Sequence, residues 1–332
     1  MFTPAKNAHR HAISRPDNYV VYGWERSYFT HKLMAALHFY GADWRYKDKT
    51  AGNAEELRLR ANTHQVPVLH TPEDWVIADT TPIMRMLDHR FPERRLYPEG
   101  LAGLQVHAVE EYFDEWIART TVHWRWNYEE NHALLSMSAA HGDPEKAKEL
   151  IVWGGKVCRA LGIDSEVQKQ NAEDEYHRIM EAAEAQLAET PYLMGTAPSA
   201  VDCIVLAGLR AHFLFDPAPD AALRPHYPRV VTWTEHSADH WDGSGEVQMT
   251  DFARFILSEM ASTYGPFALG NRDALSKGDR AFVLNMYGES VSYLARPYIE
   301  QSRQMVSDHV ASLGEEGYGW LNEVGLGEVF AS

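Results

Sequence analysis

The stretch QVPVLHTPEDWVIADTTPIMRMLD, residues 65–88, decides how the chain is read. PVLH makes a short buried strand, Pro72-Glu73-Asp74 supplies a turn, and WVIAD gives a second strand. Residues 80–90 then carry the apolar spacing of an amphipathic helix. Val66-Pro67 opens the first strand. A proline there donates no ladder hydrogen bond, and a cis peptide at this step makes a fixed turn. The backbone N–H and C=O of Val66 are then free to pair with an extended peptide. Asp79 and Thr80 stand where the second strand hands over to the helix. They offer acceptors beside a helix N-terminus, which favours a carboxylate. The set suits a small peptide with a free amine and a free carboxylate.

Upstream, YVVYG at 19–23 reads as a buried strand. Residues 30–40 place Leu33, Leu37 and Tyr40 at helical spacing, with Gly41 as the stop. DWRYK alternates as a strand, and 54–61 makes a short helix. The order βαβ-α-ββα is that of a thioredoxin-like domain, set at 18–92 after a flexible leader, 1–17. His9 and His11 fall in that leader and read as part of a solvated arm. FPERRLYPEGLAG is Pro/Gly-rich, with 93–103 as the linker. Beyond it the patterns are helical, over about 103–140, 144–161 and 166–189, in a domain set at 104–241. Ser199 with Asp202 three residues on is a capping box, read as helix initiation only.

Residues 242–332 are expected to add further helices. Phe252, Phe255, Ile256 and Met260 fall on one helical face, and Phe282, Val283, Met286, Val291, Leu294 and Ala295 continue the pattern. Such stripes must be buried. The extension is therefore expected to pack on the helical domain and close one side of a substrate pocket.

The 332 residues suffice for two domains, and the hydrophobic and charged fractions are those of a soluble globular protein. A formal charge of −16 argues against nucleic-acid partners and an anionic membrane surface. The two cysteines, Cys158 and Cys203, sit in helical patterns outside any CxxC, which argues against a disulfide framework or a zinc site and fits a reducing, cytoplasmic compartment. The leader has no apolar core of a signal peptide, and no 18-residue apolar run spans a membrane.

The ordered segments resemble the glutathione transferase superfamily. YVVYGWERSYFTHKLMAALHFYGADWRYK is similar to its first strand, catalytic loop, first helix and second strand. TPYLMGTAPSAVDCIVLAGLRAHF followed by YPRVVTWTEH resembles the signature of its helical domain. Order and spacing agree from about 19 to 240. The resemblance is to a serine-type, bacterial-like member with a long C-terminal extension. It implies an α+β thioredoxin-like N-terminal domain followed by an all-α domain, and a homodimer.

Within that resemblance, Ser27-Tyr28-Phe29-Thr30 occupies the loop where thioredoxin-like proteins begin a CxxC. Both cysteine positions are hydroxyls here, Ser27 and Thr30, so a sulfur must be imported, and glutathione is the co-substrate implied. A free thiol is mostly protonated at neutral pH. A hydroxyl donor plus the positive end of a helix favours the thiolate. Ser27 is the candidate donor; the plainer reading is an N-cap. Tyr22, at the end of the first strand, is the alternative donor. Tyr28 stands where the family often has Pro, and its hydroxyl could also reach the pocket. By the same resemblance Gln65, Val66, Pro67, Asp79 and Thr80 hold glutathione, Val66 by its backbone and Asp79-Thr80 at the γ-glutamyl end. The family more often has Glu or Gln followed by Ser at the last two positions.

Trp124, Trp126 and Tyr128 either line the pocket of a small apolar or aromatic electrophile or pack in the core. Glu129-x-x-His132 has the spacing of a helix metal motif but lacks the partners one needs, so no metal is expected. The expected activity is transfer of the glutathione thiolate to an electrophile. The alternatives are a non-catalytic binding or assembly module of the same fold, or glutathione-dependent isomerisation, dehalogenation or ether cleavage.

Overall fold

Tyr19–Gly23, buried at all five positions, forms β1, an inner strand of a four-stranded sheet ordered β2-β1-β3-β4. The computed structural model describes residues 13–140, 142–235, 241 and 243–331, so His9 and His11 lie outside the described residues. β2 (Trp44–Asp48) runs parallel to β1, while β3 (Val68–His70) and β4 (Val76–Ala78) are antiparallel neighbours. A parallel pair needs a crossover, and α1 (Tyr28–Tyr40) supplies it, ending at Gly41 in the left-handed region at φ 65°. α2 (Ala54–Ala61) and α3 (Thr80–Arg90) complete the expected thioredoxin-like order.

Strand alternation sends side chains to opposite faces. Tyr19 and Val21 join Leu33, Leu37, Ile83, Met84 and Leu87 in the large core. Val20 and Tyr22 join Ile13, Leu57 and Val68 in a small core on the other face. Ile13 also donates its N–H to Glu56 Oε2 at 2.9 Å, so the end of the expected leader is tied to α2.

The helical half contains α4 (Leu101–Tyr112), α5 (Ala118–Asn127), α6 (Glu129–Ala139), α7 (Pro144–Ala160), α8 (Glu166–Glu189), α9 (Ala200–Gly208), α10 (Pro217–Leu223) and α11 (Pro228–Glu235). The single long pattern read over 103–140 is interrupted twice. A π turn, Phe113–Ile117, joins α4 to α5, and Tyr128 is extended between α5 and α6. α9 is buried at every position and packs along α1, which joins the two halves. At its end a Cβ on Gly208 would lie 2.7 Å from Tyr28 Cε2, so only glycine allows that approach. The capping box is present: the Ser199 N–H donates to Asp202 Oδ2 at 2.8 Å, and Asp202 Oδ1 accepts from Leu193 N–H at 2.9 Å.

The extension holds α12 (Asp251–Ser262), α13 (Tyr264–Lys277), β5 (Ala281–Met286), β6 (Glu289–Leu294), α14 (Pro297–Leu313), α15 (Glu315–Glu323) and α16 (Gly327–Phe330). Phe252, Ile256 and Met260 are buried on one face of α12, as their spacing predicts. The helix expected through Phe282–Ala295 is instead a β-hairpin. Its burial has period two, with Met286, Val291 and Tyr293 inside and Val283 and Leu294 exposed. Tyr287 and Gly288 both have positive φ, 54° and 81°. That pair makes the two-residue turn whose twist suits a hairpin.

The extension is anchored on the helical half. Tyr264 and Ser302 both give their hydroxyls to the buried Glu111 of α4. Arg85 of α3 reaches His107 Nδ1 at 2.9 Å and His309 Nδ1 at 3.4 Å, linking α3, α4 and α14.

Candidate active site

The loop from β1 to α1 is built around Thr30. Gly23 carries no Cβ where one would fall 2.5 Å from Thr30 Cγ2, so the loop can fold down on that side chain. Thr30 Oγ1, fully buried, accepts from Trp24 N–H at 3.3 Å. Ser27 N–H donates to Trp24 O at 2.9 Å. The carbonyl of Arg26 accepts from Arg125 Nη1 at 2.7 Å, which ties the loop to α5.

This positions half-buried Ser27 as the N-cap of α1, its Oγ accepting from Thr30 N–H at 3.3 Å. The capping role is thus real. It uses a lone pair and leaves the hydroxyl hydrogen to donate elsewhere. No acidic residue sits in the first turn of α1, so no side-chain charge there offsets the positive helix end at Ser27. Two exposed aromatics flank the loop: Trp24 within it, and Phe215, whose ring lies 4.8 Å from the Arg26 guanidinium.

The other hydroxyls stand elsewhere. Tyr22 is buried on the α2 face of the sheet, its ring 6.4 Å from that of His70 and 5.9 Å from Lys47 Nζ, and burial holds its pKa above the usual value. Tyr22 thus packs on the α2 face, while Ser27 caps α1. Tyr28 is buried in the joint between the halves, its hydroxyl donating to Phe113 O at 3.3 Å, and burial raises its pKa well above normal. Neither cysteine is poised as a nucleophile: both are buried, Cys158 is pushed up to about 11 and Cys203 well above its ordinary value by desolvation.

Before β3, the Val66-Pro67 peptide is cis. Gln65 is exposed, Pro67 buried, and no hydrogen bond among the described residues uses the Val66 backbone. Sequence reasoning missed Lys49, whose Nζ donates to the carbonyls of His64 and Gln65 at 2.8 and 2.9 Å and so fixes this loop to the end of β2.

At the start of α3, Asp79 has φ 73° and ψ 116°, a region few residues other than glycine occupy. Such strain costs on the order of 1–3 kcal/mol and persists where surrounding structure enforces it. Thr80, next in the chain, is buried. Beneath them lies a charged knot that sequence reasoning also missed. Lys32 of α1 is fully buried, paired with Glu110 and, at 2.9 Å, with Asp114 Oδ2. Its Nζ also donates to Thr81 Oγ1 at 3.0 Å, and Tyr97 donates to Glu110 Oε2 at 2.9 Å. Burial alone would strip the Lys32 proton; the two carboxylates hold its pKa above the ordinary value instead. The signal in the sequence was a lysine on the inner face of an apolar helix.

The aromatic segment of α5 serves packing. Trp124, 3% exposed, stacks on Tyr128 at 4.7 Å, and the Tyr128 hydroxyl donates to Glu173 at 2.6 Å. Trp126 meets Trp153 edge-on at 5.7 Å. No group of acidic, histidine or cysteine side chains among the described residues is arranged to hold a metal ion. No described helix is long and apolar enough to cross a membrane.

A family model for the glutathione S-transferase N-terminal domain matches residues 26–90, and one for the glutathione S-transferase C-terminal domain matches 154–240. The first spans α1 through α3, the second α8 through α11, in the order this architecture requires. These matches support the superfamily reading of the sequence, and the fold is that of the glutathione transferases. No curated protein matches it. Among solved structures it is similar to the beta-etherase LigF from Sphingobium sp. strain SYK-6, at 16% identity and a TM-score of 0.52, covering 67% of this chain and 97% of that one. A GST-like protein from Pseudomonas syringae is 18% identical, covering 75% of each chain, with a TM-score of 0.48. A glutathione S-transferase from Rhodospirillum rubrum F11 is 15% identical over 67% of this chain and 90% of that one, at 0.48. The likeness is one of fold, and a quarter or more of this chain lies outside each match.

Proposed function

We propose that the protein is a cytoplasmic glutathione-dependent transferase in which Ser27 stabilises the glutathione thiolate. The observation that carries this is the geometry of Ser27: its oxygen caps α1 while its hydrogen remains available to a sulfur at the helix N-terminus. Val66, beside cis-Pro67, pairs with the cysteinyl backbone, flanked by Gln65, and Asp79 with Thr80 receives the γ-glutamyl end. The thiolate attacks an electrophilic carbon, a C–S bond forms, and the leaving group departs with its electron pair. Trp24 and Phe215, rather than the packed Trp124, Trp126 and Tyr128, offer the apolar surface for that second substrate. The same thiolate serves conjugation, as in detoxification, or dehalogenation and ether cleavage, so the acceptor assay spans aryl halides and aryl ethers. The functional unit is a homodimer, sedimenting at twice the chain mass of 37.7 kDa.

The test is retention on immobilised glutathione, followed by thiolate absorbance of the complex across pH. A glutathione transferase retains and shows the thiolate at a pH well below the ordinary thiol value of about 8.5. Retention with an unshifted thiol would mark a binding module of this fold instead.

A further inference from the structure

The extension does more than cover helices. Its hairpin is closed by Ala295 N–H donating to Arg280 O at 2.9 Å. The next residue, Arg296, is gripped on both sides of its backbone by the fully buried Asn271 of α13. Arg296 N–H donates to Asn271 Oδ1 at 2.8 Å, and Asn271 Nδ2 donates to Arg296 O at 3.1 Å. Pro297 then starts α14. Tyr298 and Ser302 are four apart on that helix and share a face. Ser302 is fixed on Glu111 of α4. Its neighbour Tyr298 is thereby set against the start of α3, its hydroxyl within reach of the Asp79 carboxylate.

Three segments meet at this point. The start of α3 brings Asp79, Thr80 and Thr81. The π turn brings Asp114, tied to Thr81 Oγ1 at 3.0 Å, and Glu115, which lies within electrostatic reach of Asp79, Asp114 and Arg296. The extension brings Arg296 and Tyr298. Two atoms here have unmet valence. Asp114 is 8% exposed, and its Oδ1 is buried with no partner. Arg296 Nε is likewise buried with no partner, and no carboxylate lies within ion-pair distance of its guanidinium among the described residues. Buried polar atoms are nearly always paired, so two orphans on segments that converge call for a ligand with complementary groups. These segments carry several carboxylates and one guanidinium with no ion-pair partner, packed over the Phe267 ring, since Lys32 is already shared by Glu110 and Asp114. An amino-acid end fits that pattern: an ammonium for the carboxylates, and a carboxylate for Arg296 and the N–H groups of the α3 N-terminus.

We propose that Arg296 and Tyr298 of the C-terminal extension belong to the glutathione site and hold its γ-glutamyl end. Arg296 binds the α-carboxylate, and Tyr298 orients Asp79 toward the α-ammonium. This rests on the glutathione reading above and reverses the sequence-based expectation that the extension acts on the second substrate.

The experiment is titration calorimetry on the full-length protein with glutathione and with its analogue lacking the glutamyl α-amino group. Arg296→Met should weaken both ligands about tenfold or more, the scale of one charge-assisted hydrogen bond. Tyr298→Phe should weaken glutathione several-fold and the deaminated analogue much less, because it acts through the group that meets the ammonium. Asn271 holds the Arg296 backbone rather than its side chain, and Tyr298→Phe keeps the ring, so thermal melts near wild type should accompany both variants. Wild-type binding with both variants within twofold of it would overturn the proposal and leave the glutathione reading standing. No binding by wild type would remove both. An equal loss for the two ligands in Tyr298→Phe would overturn the assignment of Tyr298 to the ammonium.

Discussion

Two helix N-termini face the proposed ligand, and they are built differently. That of α1 is capped by Ser27, carries no acid in its first turn and stands between exposed aromatics. That of α3 starts at a strained Asp79, above a buried knot of Lys32, Glu110 and Asp114. The first is a reacting end: a positive helix terminus, a hydrogen to donate and room for a second molecule. The second is a holding end, where charge is enclosed and prearranged. Preorganised charge is effective when no rearrangement is needed on binding. The comparison suggests that changes at α1 act on the chemistry, while changes at α3 act on affinity and stability.

The largest effect should come from the holding end. Lys32→Met leaves Glu110 and Asp114 without their counter-charge and should cost about 3–5 kcal/mol of stability. Urea unfolding measures it, and adding Asp114→Asn should recover part of the loss. A cost under about 1 kcal/mol would mean the knot is not what fixes the start of α3.

At the reacting end, Ser27→Ala should lower saturated turnover by roughly 10², the effect of losing one donor at a reacting centre. Tyr22→Phe, on the far face of the sheet, should change it little. Asp79→Ala should do the reverse of Ser27→Ala, raising the glutathione dissociation constant about tenfold with a smaller change in saturated turnover. If both variants change the same kinetic constant, the division between the two termini fails.

A pH dependence sharpens the contrast further. Burial chiefly, and then neighbouring carboxylates, push the Asp114 carboxyl up to about 7 and Glu115 up to about 8. In the unfolded chain both titrate near 4. Between those values the folded state holds more protons than the unfolded state, so stability falls as pH rises from about 5 to 8 and levels off above. The slope belongs to the pair rather than to either residue. The unfolding free energy of wild type, relative to that of Asp114→Asn/Glu115→Gln, should fall as pH rises across that window. A difference that is flat, or opposite in sign, would show that the pair stays ionised throughout.

Much of the first domain, and the start of α9, was legible because the signals there are local. β1, α1 with Gly41, the β3–β4 turn and the capping box at Ser199 each depend on residues a few positions apart. The hairpin at Phe282–Ala295 was misread as helix because its apolar residues also fit a 3.6-residue spacing. Tyr287-Gly288 was the overlooked turn signal, joining two alternating runs. The same ambiguity applied to Trp124, Trp126 and Tyr128, where neither spacing nor residue type tells a pocket wall from a packed core. Lys32, Lys49, Arg296 and Tyr298 were invisible for a different reason. Their partners are distant in the chain, and a polar side chain reads as solvated until something opposite it is known.

The anchoring of the extension on Glu111 and Arg85 has a consequence in time. Its contacts span 153, 191 and 224 residues of chain. Contacts so far apart in sequence are slow to form, because the intervening loop must be closed before they contribute. The sheet, α1 and α3 leave the ribosome first and are free to fold while α14 is still unmade. On the reading above, ligand binding then becomes a property of the finished chain: a nascent or truncated product carries the reacting serine, yet lacks the residues that grip the other end of the peptide.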